Sequence, residues 1–172
     1  MADHIFRLLL ANLDRRVKPP LFVTGEVGAG KTEFCRGIVA RTKEAGLNPG
    51  GIVSPRIVQD GETIGYRVVD VRTGEQKTFA RLTPPGISVG KYYIPPGVLE
   101  WTKEVISDSL DGTDVVFLDE VGRLELRGKG LDSAVRSALE SRTQLVLLVR
   151  SEFLSAVKDD YGIEEFHLHR VG

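Results

Sequence analysis

The stretch "GEVGAGKT", residues 25–32, constrains this chain more than any other. It matches G-x-x-x-x-G-K-[ST] in full, a pattern that a chain of this composition would show by chance on the order of once in a hundred such sequences. Gly25, Gly28 and Gly30 let the backbone turn tightly and present N–H groups to phosphate oxygens. Glu26, Val27 and Ala29 fill the variable positions and lend their backbone to the same cradle. A helix starting directly after the loop adds its amino-terminal partial charge. Lys31 has the reach for β and γ phosphates, and the Thr32 hydroxyl suits Mg²⁺. Such a loop works only between a buried strand and a helix, which dictates the local fold.

Both flanks meet that demand. "PPLFVTG", residues 19–25, is a short apolar run that follows prolines and stops at glycine, the pattern of a buried strand. From Lys31 to Ala45 the spacing turns helical, with Gly46 as the stop. Further on, residues 51–82 carry β-branched runs broken at Asp60-Gly61 and Thr73-Gly74, which predicts two or three antiparallel strands inserted after this helix. Prolines bracket "GISVGKYYI", and a helix is expected from about Pro96 to Leu110.

Continuous apolar runs then return at 114–119 and 144–149, separated by a helical pattern in "GLDSAVRSALESR". A helix from about Ser151 to Asp160 and a strand in "EEFHLHRV" close the chain, and a short amphipathic helix opens it. Continuous apolar strands alternating with helices imply an α/β fold, with a mostly parallel sheet covered on both faces. At 172 residues, 41% of them hydrophobic, the chain suits one compact domain.

The apolar run at 115–118 ends in Asp119 and Glu120, and three readings are open. A phosphate loop needs a second acid for its Mg²⁺ at the end of a neighbouring strand, a role that fits Asp119. Glu120 would then orient or deprotonate the attacking water. Alternatively, Asp119 to Gly122 spells D-x-x-G, a GTPase switch in which the glycine N–H meets the γ phosphate. That reading requires N-K-x-D after a later strand, where this chain has "RSEFLSAV" instead. The third reading is a solvated strand end.

Composition removes other classes. A net charge of −1 offers no field for a bulk polyanion, so there is no strong nucleic-acid signal. Cys35 is the single cysteine and is read as a small core residue in a reducing compartment. The amino-terminal apolar run is too short for a membrane span and lacks a cleavage site, so a cytoplasmic monomer is expected.

With these residues in view, the chain resembles the P-loop nucleoside-triphosphatases of the thermophile and human cancer-related NTPase type. The resemblance rests on "GEVGAGKT", "GGIVSPR" leading to "GYRVVDV", "VGKYYI" and "LDEVGRLEL", in the family's order over roughly residues 20–150. It implies a RecA-like sheet flanked by helices on both faces, within the single domain, 1–172, that the length suits. It also implies slow, Mg²⁺-dependent hydrolysis of ATP, GTP, CTP and UTP to diphosphate and phosphate. By position it gives Lys31 and Thr32 to phosphate and Mg²⁺, Asp119 to Mg²⁺, and Glu120 to water activation. Where many members read Thr-x-Glu-Val-Arg, this chain has Ser54 with Arg56 two positions early. Where many have Gly-Lys-Met-Glu, it has Gly122, Arg123, Leu124 and Glu125, which keeps the positive charge.

Transition-state charge on the phosphoryl group calls for a cation beyond Lys31, and the candidates are Arg123, then Lys91, then Arg56. Tyr92, Tyr93 and Trp101 are read as packing residues that could also stack on a base. His167 and His169 share a strand face without a third metal ligand nearby. A nucleoside or nucleotide kinase is the alternative on the same loop. It would need an acceptor pocket and an arginine-rich lid, whereas residues 150–160 offer only Arg150 and Lys158. A nucleotide-dependent switch module is the third reading.

Overall fold

The structure is a computed structural model and describes residues 2–172. One sheet runs through it. Its first half is the predicted parallel core, in the order β10 (His167–Arg170), β1 (Leu21–Gly25), β9 (Gln144–Arg150), β8 (Val115–Leu118) and β2 (Pro49–Val53). Side chains alternate across these strands, so each apolar run must serve two cores. In β8, Val115 and Phe117 enter one cluster while Val116 and Leu118 enter the other. That explains why the strands read as unbroken hydrophobic stretches.

The helices divide between the two faces. α1 (Ala2–Leu13) and α2 (Lys31–Glu44) supply Ile5, Leu9, Cys35 and Ile38 to the cluster around Phe117. α3 (Val98–Ser109), α4 (Asp132–Glu140) and α5 (Leu154–Asp160) supply Ile106, Val135 and Val157 to the cluster around Phe22. Phe22 and Phe117 are both fully buried. Truncating either to alanine removes a bulk that this layered packing cannot refill, at a cost of about 3–5 kcal/mol.

The second half of the sheet corrects the expectation. The inserted segment was read as two or three strands within 51–82, but residues 51–53 belong to β2, which pairs in parallel with β8. The antiparallel wing is β3 (Arg56–Gln59), β4 (Glu62–Asp70), β5 (Gln76–Arg81), β6 (Ile87–Val89) and β7 (Tyr92–Ile94). It continues the core sheet through β4 on β2, so the whole is a mixed sheet in which the expected parallel core carries the antiparallel insertion at one edge. The Asp60-Gly61 hairpin is where the sequence put it, with φ of 51° and 79°, the left-handed pair that a tight hairpin turn demands. β6 and β7 escaped because each is three residues long, too short for alternation to register. No helix among the described residues is long and apolar enough to cross a membrane.

Candidate active site

Parallel strands deliver their carboxyl ends to one edge of the sheet, and four connections meet there. The glycine loop leaves β1, Asp119 follows β8, Ser54 follows β2, and Arg150 ends β9. Cross-strand register sets Gly25 directly beside Arg150.

In the loop, Gly28 and Gly30 have φ of 78° and 96°, a region costly for any side chain. Gly25 is needed for another reason, since a Cβ there would sit 2.6 Å from the Val171 carbonyl oxygen. Lys31 folds back over the loop, its Nζ donating to the carbonyls of Gly25 (3.2 Å) and Glu26 (2.9 Å). Burial holds its pKa below the usual lysine value, against the pull of Glu120 and Asp119. The ammonium is thus parked on acceptors that phosphate oxygens can replace.

Asp119 is 1% exposed. One of its oxygens, Oδ2, accepts both the Thr32 hydroxyl at 2.9 Å and the Ser54 N–H at 2.8 Å. Burial is the main cause of a carboxyl pKa pushed up to about 7, with the Glu120 charge adding to it and the two hydrogen bonds opposing. A buried carboxylate beside a hydroxyl, short of positive charge, is a hard-oxygen donor set that fits Mg²⁺. Among the described residues no group of three or more His, Cys, Asp or Glu could hold a metal by itself. An ion here would therefore draw its remaining ligands from phosphate and water, as Mg²⁺ prefers.

Glu120 has φ of 63°, a left-handed conformation rarely taken by residues other than glycine. The twist aims its side chain out of the strand end, where Oε2 lies 3.7 Å from the Arg150 guanidinium. Two adjoining cavities share Ser54, Tyr66, Glu120 and Arg150 as their common wall. The first is a mouth over the glycine loop, lined by Gly28, Lys31, Thr32 and Arg56 among others. The second, beyond the acids, is an apolar chamber that includes Phe79, Tyr92, Leu131 and Phe153.

The sequence candidates separate accordingly. Lys31, Thr32, Asp119 and Glu120 come together. Arg56 borders the mouth but is exposed and donates to the Thr63 hydroxyl at 3.3 Å. Arg123 and Lys91 border the chamber and not the mouth. A cation outside those candidates, Arg150, named from the sequence only in noting the lack of a kinase lid, borders the mouth beside Glu120. Its signal was an apolar strand ending in a charge at the same sheet edge as "FLDE".

The D-x-x-G reading loses its donor, because the Gly122 N–H is taken by Glu125 Oε1 at 2.9 Å. Trp101 packs against the core beneath Lys77, and Tyr92 stands in the chamber wall. His169 stacks on Phe34 at 4.4 Å, and Cys35 is fully buried.

Known proteins resemble the chain over most of its length. The family model NTPase_1, described as NTPase, matches residues 20–171. The nucleoside-triphosphatase THEP1 of Methanopyrus kandleri is 36% identical over 127 residues, covering 74% of this chain and 71% of that protein. The namesake from Ignicoccus hospitalis is 32% identical over 142 residues, covering 80% and 81%. The solution structure of a human cancer-related nucleoside triphosphatase superposes with a TM-score of 0.71 over 90% of this chain and 89% of that one. At 23% identity that likeness speaks for the fold alone.

Proposed function

The chain belongs to this NTPase family and is a nucleoside-triphosphatase, and from that premise we propose how its residues divide the work and which substrates it takes. It hydrolyses ATP, GTP, CTP and UTP to the diphosphate and phosphate, slowly and with Mg²⁺. The observation that carries this reading is the hydrogen bond between Thr32 and Asp119, residues 87 apart in sequence.

Substrate enters with its phosphates along the loop. Lys31 exchanges the Gly25 and Glu26 carbonyls for phosphate oxygens and keeps its charge compensated throughout. Thr32 and Asp119 would hold Mg²⁺, which when bound neutralises phosphate charge. Glu120, aimed into the mouth by its backbone, orients the attacking water and accepts its proton. Arg150, beside Gly25 in register and 3.7 Å from Glu120, supplies the further cation for charge that grows on the γ phosphoryl oxygens.

Breadth toward bases is supported by the rim of the mouth, where Val27 and Val58 are 60% and 55% exposed. Such apolar surface meets any base face without reading its edge. Slow turnover is consistent with a mouth open to water and a single arginine shared with the base.

Phosphate release should be followed with each of the four triphosphates, with Mg²⁺ and with EDTA, for wild type, Lys31→Ala and Glu120→Gln. Equal turnover of wild type and Glu120→Gln, with nucleotide still bound, would remove Glu120 from the base role.

A further inference from the structure

A hydrolase needs room for one water in line with the γ phosphate, about 10–15 Å³ of cavity. The chamber behind Glu120 has a volume of about 220 Å³. None of residues 25–32 lines it, so whatever occupies it meets the triphosphate only at the shared wall, its γ end.

The walls are rings. Tyr66 and Tyr92 meet edge to face at 5.6 Å, and Phe79 and Phe153 line the same space. Besides Arg150 in the shared wall, two more cations border it. Arg123 lies 5.9 Å from the Phe153 ring centre, and Lys91 lies 5.3 Å from that of Tyr92. Neither forms a salt bridge or side-chain hydrogen bond among the described residues. Both are free to donate to carbonyl or nitrogen acceptors on a flat heteroaromatic ring held between the aromatic walls. Of the carboxylates that line it, Asp119, Glu120 and Glu125, only Glu120 also borders the mouth, where that ligand and the triphosphate would touch.

We propose that this chamber is an acceptor site, in which a nucleoside, a flat heteroaromatic ring carrying hydroxyl groups, takes the γ phosphoryl group in place of water. The proposal rests on Glu120 being the base of the hydrolytic reaction. A nucleoside hydroxyl oxygen forms the new bond to the γ phosphorus while the bond to the β–γ bridging oxygen breaks. The hydroxyl proton passes to Glu120, and the nucleoside diphosphate leaves with the electron pair. The products are a nucleoside diphosphate and a nucleoside monophosphate. With the chamber empty, water takes the same line and the reaction is hydrolysis.

The test uses the whole protein with γ-labelled ATP, Mg²⁺ and adenosine, guanosine, cytidine, uridine or thymidine in turn. Labelled nucleoside monophosphate is expected with at least one of them. Val89→Trp, which fills the chamber from β6, should lower the ratio of that product to inorganic phosphate by about tenfold or more. If Val89→Trp fails to fold, Arg123→Ala at an exposed position probes the same wall and should weaken nucleoside binding. Phosphate release without labelled nucleoside in every case overturns the transfer. If no phosphate is released either, the fault lies with the hydrolase reading, and calorimetry with nucleoside alone decides the chamber. Absence of binding, or binding unchanged by both variants, overturns it.

Discussion

Replacing Asp119 with asparagine should make the nucleotide-free protein more stable while destroying its catalysis. The Thr32 and Ser54 hydrogen bonds to Asp119 arrive at one oxygen, Oδ2. The single carbonyl oxygen of asparagine can accept both, so no donor is orphaned on that side. What disappears is a buried charge. The carboxyl pKa is pushed from 3.8 to about 7, so the unfolded chain releases this proton near pH 4 and the folded chain holds it until near neutrality. Stability therefore falls as pH rises through that window, and above it the native state carries the full penalty.

At about 1.4 kcal/mol for each pH unit, that penalty is about 4 kcal/mol at pH 8. The new amide donor crowds the neighbouring backbone N–H and returns about 1–2 kcal/mol of it. The net gain is about 2 kcal/mol, or about 4–8 °C in Tm for a domain of this size. Calorimetric melting in EDTA should show the variant ahead at pH 8 and behind by about 1–2 kcal/mol near pH 4, where only the amide cost is left. Adding Mg²⁺ and a non-hydrolysable triphosphate should raise the Tm of wild type and leave the variant nearly unmoved. A variant that melts several degrees lower than wild type at pH 8 would refute the desolvation argument.

Three further outcomes follow from the same site. Glu120→Gly relieves a left-handed backbone at φ 63° and should add up to about 1 kcal/mol in urea unfolding, while steady-state turnover falls by about 100-fold. Arg150→Ala should lower kcat by about 10²-fold with a smaller change in KM, whereas Arg56→Ala, exposed at the rim, should stay within about twofold. Gly51→Ala should prevent folding or leave only insoluble protein, because the added Cβ would lie 2.1 Å from the Phe117 carbonyl oxygen in the paired strand.

The parallel core and the phosphate loop were legible because their signals are local. A glycine pattern between an apolar run and a helical period needs only a dozen neighbouring residues, and the acids at 119 and 120 mark a strand end in the same way. The wing was legible only in part. Its Asp60-Gly61 turn has a local cause, but β6 and β7 exist because Arg81 pairs with Tyr93 across the sheet. Arg150 was missed for a related reason. Its place beside the glycine loop comes from β9 lying between β1 and β8, which is an outcome of strand order and not of any property of "QLVLLVR" itself. The chamber is similarly assembled from β2, the wing and the segment after β8, none of which is a pocket alone.

One contact has a practical use. The amide of Ser54 sits at the root of the wing and donates to the same Asp119 oxygen that receives the Thr32 hydroxyl. A cation held by Thr32 and Asp119 displaces the Thr32 hydroxyl from that oxygen and weakens the acceptor left to Ser54, so the exchange rate of that one backbone proton is expected to differ between the empty and the filled site. The chain carries its own occupancy gauge, readable by hydrogen exchange without a label, a substrate analogue or a coupled assay.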